Sequence, residues 1–104
     1  MNNIIDDIRD KIAAQYKPDK LVLFGSSVAR GLEKANDLDL CVIKDDIVDK
    51  SDEFIKIRKI LGRTILPLYI LIFKKDEFDR RRNIWGTVQY EIETKGKVLY
   101  ERGA

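Results

Sequence analysis

Histidine is absent from the 104 residues, and cysteine and tryptophan occur once each. Without histidine, a Ser-His-Asp or Cys-His nucleophile system is excluded within this chain. One cysteine and no histidine also exclude a zinc site of the usual Cys/His kind. No apolar run approaches the roughly 20 residues that span a bilayer, so no membrane partner is expected. The opening Met-Asn-Asn-Ile-Ile-Asp-Asp is acidic and does not read as a signal peptide; the expected setting is the reduced cytoplasm. Charge of one sign is lacking too. Twenty basic residues stand against 18 acidic ones, a net charge of +2, and nucleic acid is not an expected partner. Chemistry, if any, falls to carboxylates, hydroxyls, Lys, Arg and an oxygen-loving metal such as Mg²⁺.

The chain does have enough apolar residues, 44% of the total, to fill a core. Its length suits one compact domain, 1–104, and not two. Ile4, Ile5, Ile8, Ile12 and Tyr16 share a helical face that Pro18 terminates, with Asp6 and Asp7 where a helix dipole favours them. Leu21 to Phe24 reads as a short apolar strand. Ser26 to Arg30 reads as one or two helical turns ended by Gly31, and Leu32 to Asn36 as a loop. Leu38 to Ile43 is a second strand. Ser51 is expected to cap a third helix, with Phe54, Ile57, Ile60 and Leu61 as its stripe and Gly62 as its stop. Leu66 to Phe73 is a third strand, apolar on both faces apart from Tyr69. Asp76 and Glu77 open a last helix, bending at Gly86 and running on to Lys95. Gly96 then precedes a short final strand, Val98 to Tyr100. Helices between short strands predict an α+β (α/β-like) fold, a small mixed β-sheet flanked by helices.

The stretch "LVLFGSSVARGLEKANDLDLCVI" carries the chemistry. Alternate strand residues share a face, so Asp37 and Asp39 point the same way, about 6.6 Å apart along the strand. Two such anions repel, and a divalent cation removes the conflict. Leu38, Leu40 and Val42 take the opposite face, while Cys41 follows the aspartates on theirs as a small buried residue. Gly25-Ser26, at a strand-to-helix turn, offers free N–H groups and a hydroxyl to a phosphate. Neither a Walker loop nor GxGxxG is present. A phosphate cradle beside an acid pair describes a metal-nucleotide site, whose work is positioning and charge neutralisation. Singly these signals are weak; Asp-x-Asp is common in a chain with 18 acidic residues. Arg80, Arg81 and Arg82 fan around a helix and read as a solvated face. Trp85 reads equally as an interface anchor and as a core-edge aromatic. Tyr90 and Tyr100 are expected to pack against the sheet.

Gly25-Ser26, Gly31 and Asn36-Asp37-Leu38-Asp39-Leu40 match the signature of the DNA polymerase beta-like nucleotidyltransferase superfamily: Gly-Ser, a ten-residue gap, then Asp-x-Asp. "GSSVARG" and "NDLDLCVI" most resemble the minimal nucleotidyltransferases, called MNT proteins, and "KKDEFDRR" and "GKVLYE" resemble them too. The resemblance implies binding of an NTP, with ATP the expected one, and Mg²⁺, and transfer of a nucleotidyl group to a hydroxyl. Gly25 and Ser26 would bind the nucleotide phosphates; Asp37 and Asp39 would be the catalytic, metal-binding acids. Minimal members are commonly paired with a helical HEPN-type protein, as antitoxins that can adenylylate its tyrosine; a homo-oligomer is the other expected assembly. The family's third carboxylate falls on the next core strand, where this chain reads Pro67-Leu68-Tyr69-Ile70-Leu71, with Tyr69 at the acid's place. Two main readings follow. One is a Mg²⁺-dependent nucleotidyltransferase, favoured by Asp37 and Asp39. The other is a catalytically degenerate antitoxin or regulatory subunit, favoured by Tyr69. A weaker third is an accessory nucleotide-binding domain whose acceptor site lies on another chain.

Overall fold

The computed structural model describes residues 4–31, 36–64 and 66–103; most of the loop expected at Leu32 to Asn36 lies outside them. Helix α1 spans Ile4–Gln15. Strand β1, Lys20–Phe24, leads into the short helix α2, Ser26–Arg30. Strand β2 is Leu38–Lys44, followed by helix α3, Lys50–Leu61, and strand β3, Leu68–Lys74. Helices α4, Lys75–Arg81, and α5, Val88–Lys95, precede strand β4, Lys97–Glu101.

The four strands form one mixed sheet in the order β3-β2-β1-β4. β1 runs antiparallel to both neighbours, and β2 pairs parallel with β3. The two faces of the sheet bury separate clusters. On one face Leu21, Leu23, Leu38, Leu40, Val42 and Ile72 pack against Ile5, Ile8 and Ile12 of α1 and Ile57 and Leu61 of α3. On the other, Val22, Cys41 and Ile43 pack against Phe78 of α4 and Ile92 of α5, with Phe24 and Phe73 at the margin. A small mixed sheet with helices on both faces is therefore the architecture, as the strand and helix patterning predicts. Among the described residues no helix is long and apolar enough to cross a membrane.

Four local expectations differ from what is found. The cap of α3 is Asp49, whose side chain accepts from the Ser51 backbone N–H at 2.8 Å; Ser51 lies inside the helix. The α3 stripe is rotated, with Glu53 buried and Phe54 exposed. The reason is that the Tyr16 hydroxyl, buried beside α3, donates to Glu53 at 2.5 Å. A carboxylate thus takes a place that hydrophobicity assigns to an apolar residue. The single long helix drawn through Gly86 is two helices: Thr87 caps α5, accepting from the Tyr90 N–H at 3.1 Å. Finally, β3 begins at Leu68, two residues later than expected. It is an edge strand with one face half open, Tyr69 being 58% and Leu71 37% exposed.

Candidate functional site

The site forms where β1 ends and the antiparallel β2 begins. Phe24, the last residue of β1, is the cross-strand partner of Asp39. The chain then turns at Gly25, with φ 79° and ψ −152°, a backbone conformation that side chains disfavour. A Cβ at Gly25 would also collide with the Asp39 carboxylate. Conformation calls for glycine here, and a side chain would in addition displace the Asp39 carboxylate. The glycine backbone is held directly against the second aspartate.

α2 starts immediately. The Gly25 carbonyl accepts from the Val28 and Ala29 N–H groups at 3.1 and 3.2 Å. The first N–H groups of such a helix have no acceptor within it, and here they belong to Ser26 and Ser27. The two serines divide the work. Ser27 is buried and donates to the Phe24 carbonyl at 3.4 Å, locking the turn. Ser26 is exposed and donates to Asp37 Oδ1 at 3.5 Å. That contact joins the turn to the acid pair. Sequence reasoning identified Ser26 but not Ser27, whose structural role only the burial reveals.

Asp37 and Asp39 are both half-buried. Leu38 and Leu40 between and beyond them are fully buried on the opposite face, and Cys41 is buried beneath the acids' face among the second cluster. Burial pushes the Cys41 thiol up to about 12, leaving it unreactive. Burial, and then the Asp37 charge, push the Asp39 carboxyl above the usual carboxylate range. Among the described residues no Lys or Arg forms an ion pair with either acid. Two neighbouring carboxylates with no cationic partner among the described residues are a donor set that suits Mg²⁺, which takes one or two carboxylates and completes its shell with water and substrate phosphates.

No third Asp, Glu or Cys joins them: no group of three such residues able to hold a metal occurs among the described residues. The position directly across from Asp39 on β3 belongs to Tyr69. The parallel register puts both on one face. The expected sites Gly25, Ser26, Asp37 and Asp39 therefore lie together, and Tyr69 stands beside them. Two clefts elsewhere omit these residues. One of about 260 Å³ lies at the other end of the sheet, beside Lys20, Ile43 and Glu101. Another, of about 550 Å³, follows β3 between Phe54 of α3 and Leu71.

Residues 6–104 match the protein family described as Polymerase beta, Nucleotidyltransferase. No curated protein sequence gives a significant match to the chain.

Proposed function

From the premise that the chain belongs to the polymerase beta nucleotidyltransferase family, we propose that it binds an NTP with Mg²⁺ and transfers the nucleotidyl group to a hydroxyl. The observation that carries this reading is the convergence of the Gly25-Ser26 turn on the Asp37 and Asp39 pair. The N–H groups at the head of the turn and the Ser26 hydroxyl would hold phosphate oxygens, and the bare glycine would let them approach. Asp37 and Asp39 would hold the metal, which when bound would neutralise phosphate charge. The residues themselves orient the nucleotide at the end of two strands fixed by buried leucines. Such chemistry is mostly positioning and electrostatics and needs no histidine.

The finer reading is a minimal nucleotidyltransferase using ATP and working on a helical HEPN-type protein. It is supported by the "GSSVARG" and "NDLDLCVI" stretches and by a small domain with little surface left for an acceptor pocket. A second reading is a binding subunit that holds nucleotide without turnover. Tyr69 favours it, because a phenol opposite Asp39 cannot ligate Mg²⁺ as a third carboxylate does.

The test is thermal unfolding with Mg-ATP. At 100 times its dissociation constant, ligand stabilises by roughly 2.7 kcal/mol. Asp39→Asn should abolish most of that gain. It should not unfold the protein, and the sign of the Asp39 shift explains why. A carboxyl whose folded pKa is raised costs stability at neutral pH. That cost fades as pH falls through the folded pKa and is gone below the unfolded one. Removing the charge relieves the cost, so the ligand-free variant should unfold no earlier than wild type at pH 7. Equal ligand shifts in the two proteins would rule out the site.

A further inference from the structure

Resting on the nucleotide site just proposed, we infer that Tyr69 is itself a nucleotidyl acceptor, a modification site built into the chain beside its own acid pair. Tyr69 is the register partner of Asp39 and shares its face of the sheet. It is 58% exposed. Among the described residues the sheet ends at β3, with no strand paired beyond it. The helix that covers this face reaches β3 only farther along, where Phe78 of α4 meets Phe73 with ring centroids 5.9 Å apart. Short of that contact, Tyr69 and Leu71 are open to solvent. No hydrogen bond among the described residues ties up the Tyr69 hydroxyl.

The other three tyrosines are unsuited. Tyr16 is buried and donates to Glu53. Tyr90 is half-buried on α5, and Tyr100, on β4 at the opposite edge of the sheet, packs against the core cluster of the other face. Ser26 is another hydroxyl at the site, but it is engaged with Asp37 at the head of α2, on the phosphate-holding side. A tyrosine carries its hydroxyl a ring's length beyond the end of an aspartate side chain. Standing beside Asp39 on the same face, it has the length to reach past the carboxylates as an acceptor would.

The step balances without further reagents. The phenolic oxygen of Tyr69 attacks the α-phosphorus of the NTP, and an O–P bond forms. The bond from the α-phosphorus to the bridging oxygen breaks, and pyrophosphate leaves with its electron pair. The phenolic proton passes to solvent. The product is a chain carrying one nucleoside monophosphate on Tyr69, limited to a single turnover.

The full chain would be incubated with Mg²⁺ and ATP and analysed by intact-mass and peptide mass spectrometry. One nucleoside monophosphate per chain is expected, on the peptide holding Tyr69, and none in Tyr69→Phe or Asp39→Asn. The rate should not change on dilution; a rate that rises with protein concentration would move the acceptor to a second chain and overturn the assignment in cis. A readout independent of transfer uses the α,β-methylene analogue of ATP, which cannot react. At about 100 times its dissociation constant it leaves about one site in a hundred free. Nitration of Tyr69 by tetranitromethane should then slow by up to about 100-fold, and nitration of Tyr100 should not. Protection without an adduct at Tyr69, or with an adduct elsewhere, overturns the inference and leaves nucleotide binding standing. Neither protection nor a thermal shift removes both.

Discussion

Tyr69 is the residue on which the chemistry turns. Two carboxylates and a phenol share the face where three carboxylates would hold metal and draw off a proton. General-base help is typically worth about 10²–10⁴ in rate, and no third carboxylate stands here among the described residues to supply it. Transfer to an external hydroxyl should accordingly be slow in the wild type. Tyr69→Asp returns a carboxylate to the position facing Asp39, at an exposed place where the smaller side chain leaves no buried cavity. Transfer of label from ATP to an added protein acceptor should rise by about 10²–10⁴, with the gain lost again in the double variant that also carries Asp37→Asn. An unchanged rate in Tyr69→Asp would mean that two acids suffice, and that Tyr69 does not stand in a carboxylate's place. The acid pair and the glycine turn were legible in the sequence because their chemistry is local: a Gly-Ser step and an alternation of acid and leucine. The Asp39–Tyr69 pairing comes from the register of β2 and β3, and register between strands separated by a helix is set by packing rather than by either strand alone.

At the scale of the element, α3 shows where pattern reading fails. Its apolar residues suggest a stripe through Phe54, yet Phe54 is exposed and the preceding Glu53 is only 5% exposed. The Glu53 carboxylate accepts from Tyr16 at 2.5 Å and from Lys56 at 3.1 Å, and Lys44 lies 3.9 Å away. The Lys44 ammonium also sits 4.2 Å from the centre of the Tyr16 ring. The cluster clamps α1, β2 and α3 together, and no hydrophobicity rule predicts a charge there. Burial pushes the Glu53 carboxyl up, but the Tyr16 and Lys56 hydrogen bonds and the lysine charges outweigh it, so the group lies below its usual range. Burial, then the bond to Glu53, push the Tyr16 phenol far up. Tyr16→Phe should therefore cost about 1.5–3 kcal/mol at pH 7, the worth of a hydrogen bond to a charged group. A carboxyl with a lowered folded pKa stabilises above its unfolded pKa, and that contribution is lost as pH falls through the folded value. The gap between wild type and Tyr16→Phe, followed by urea unfolding, should narrow below about pH 4. A gap that stays constant down to pH 2 would show that Glu53 is not the partner that matters.

For the whole molecule, the helices and strands emerged from apolar periodicity almost in full, and the sheet's mixed character from their alternation. What composition could not tell was which apolar surface is covered. β3 is apolar on both faces and reads like a central strand, but it lies at the edge, with Tyr69 and Leu71 open and Phe54 and Ile55 of α3 exposed nearby. The turn between α4 and α5 is similarly uncovered: Ile84 is 52%, Trp85 83% and Val88 42% exposed. The sequence left Trp85 open between interface anchor and core edge, and its exposure removes the second choice. An exposed tryptophan flanked by aliphatic side chains is the composition of an interface hot spot. On the HEPN-type partner reading, Trp85 should be buried in the complex. Its emission, the single tryptophan signal of this chain, should move to the blue when the helical partner is added, measured with a partner in which tryptophan is replaced. Trp85→Ala should weaken the complex by about 2 kcal/mol or more, roughly 30-fold in Kd, with the thermal midpoint of the free chain unchanged because the ring touches little of its own core. Emission that stays fixed while the complex forms would place the partner elsewhere, with the open face of β3 the next surface to test by Leu71→Ser.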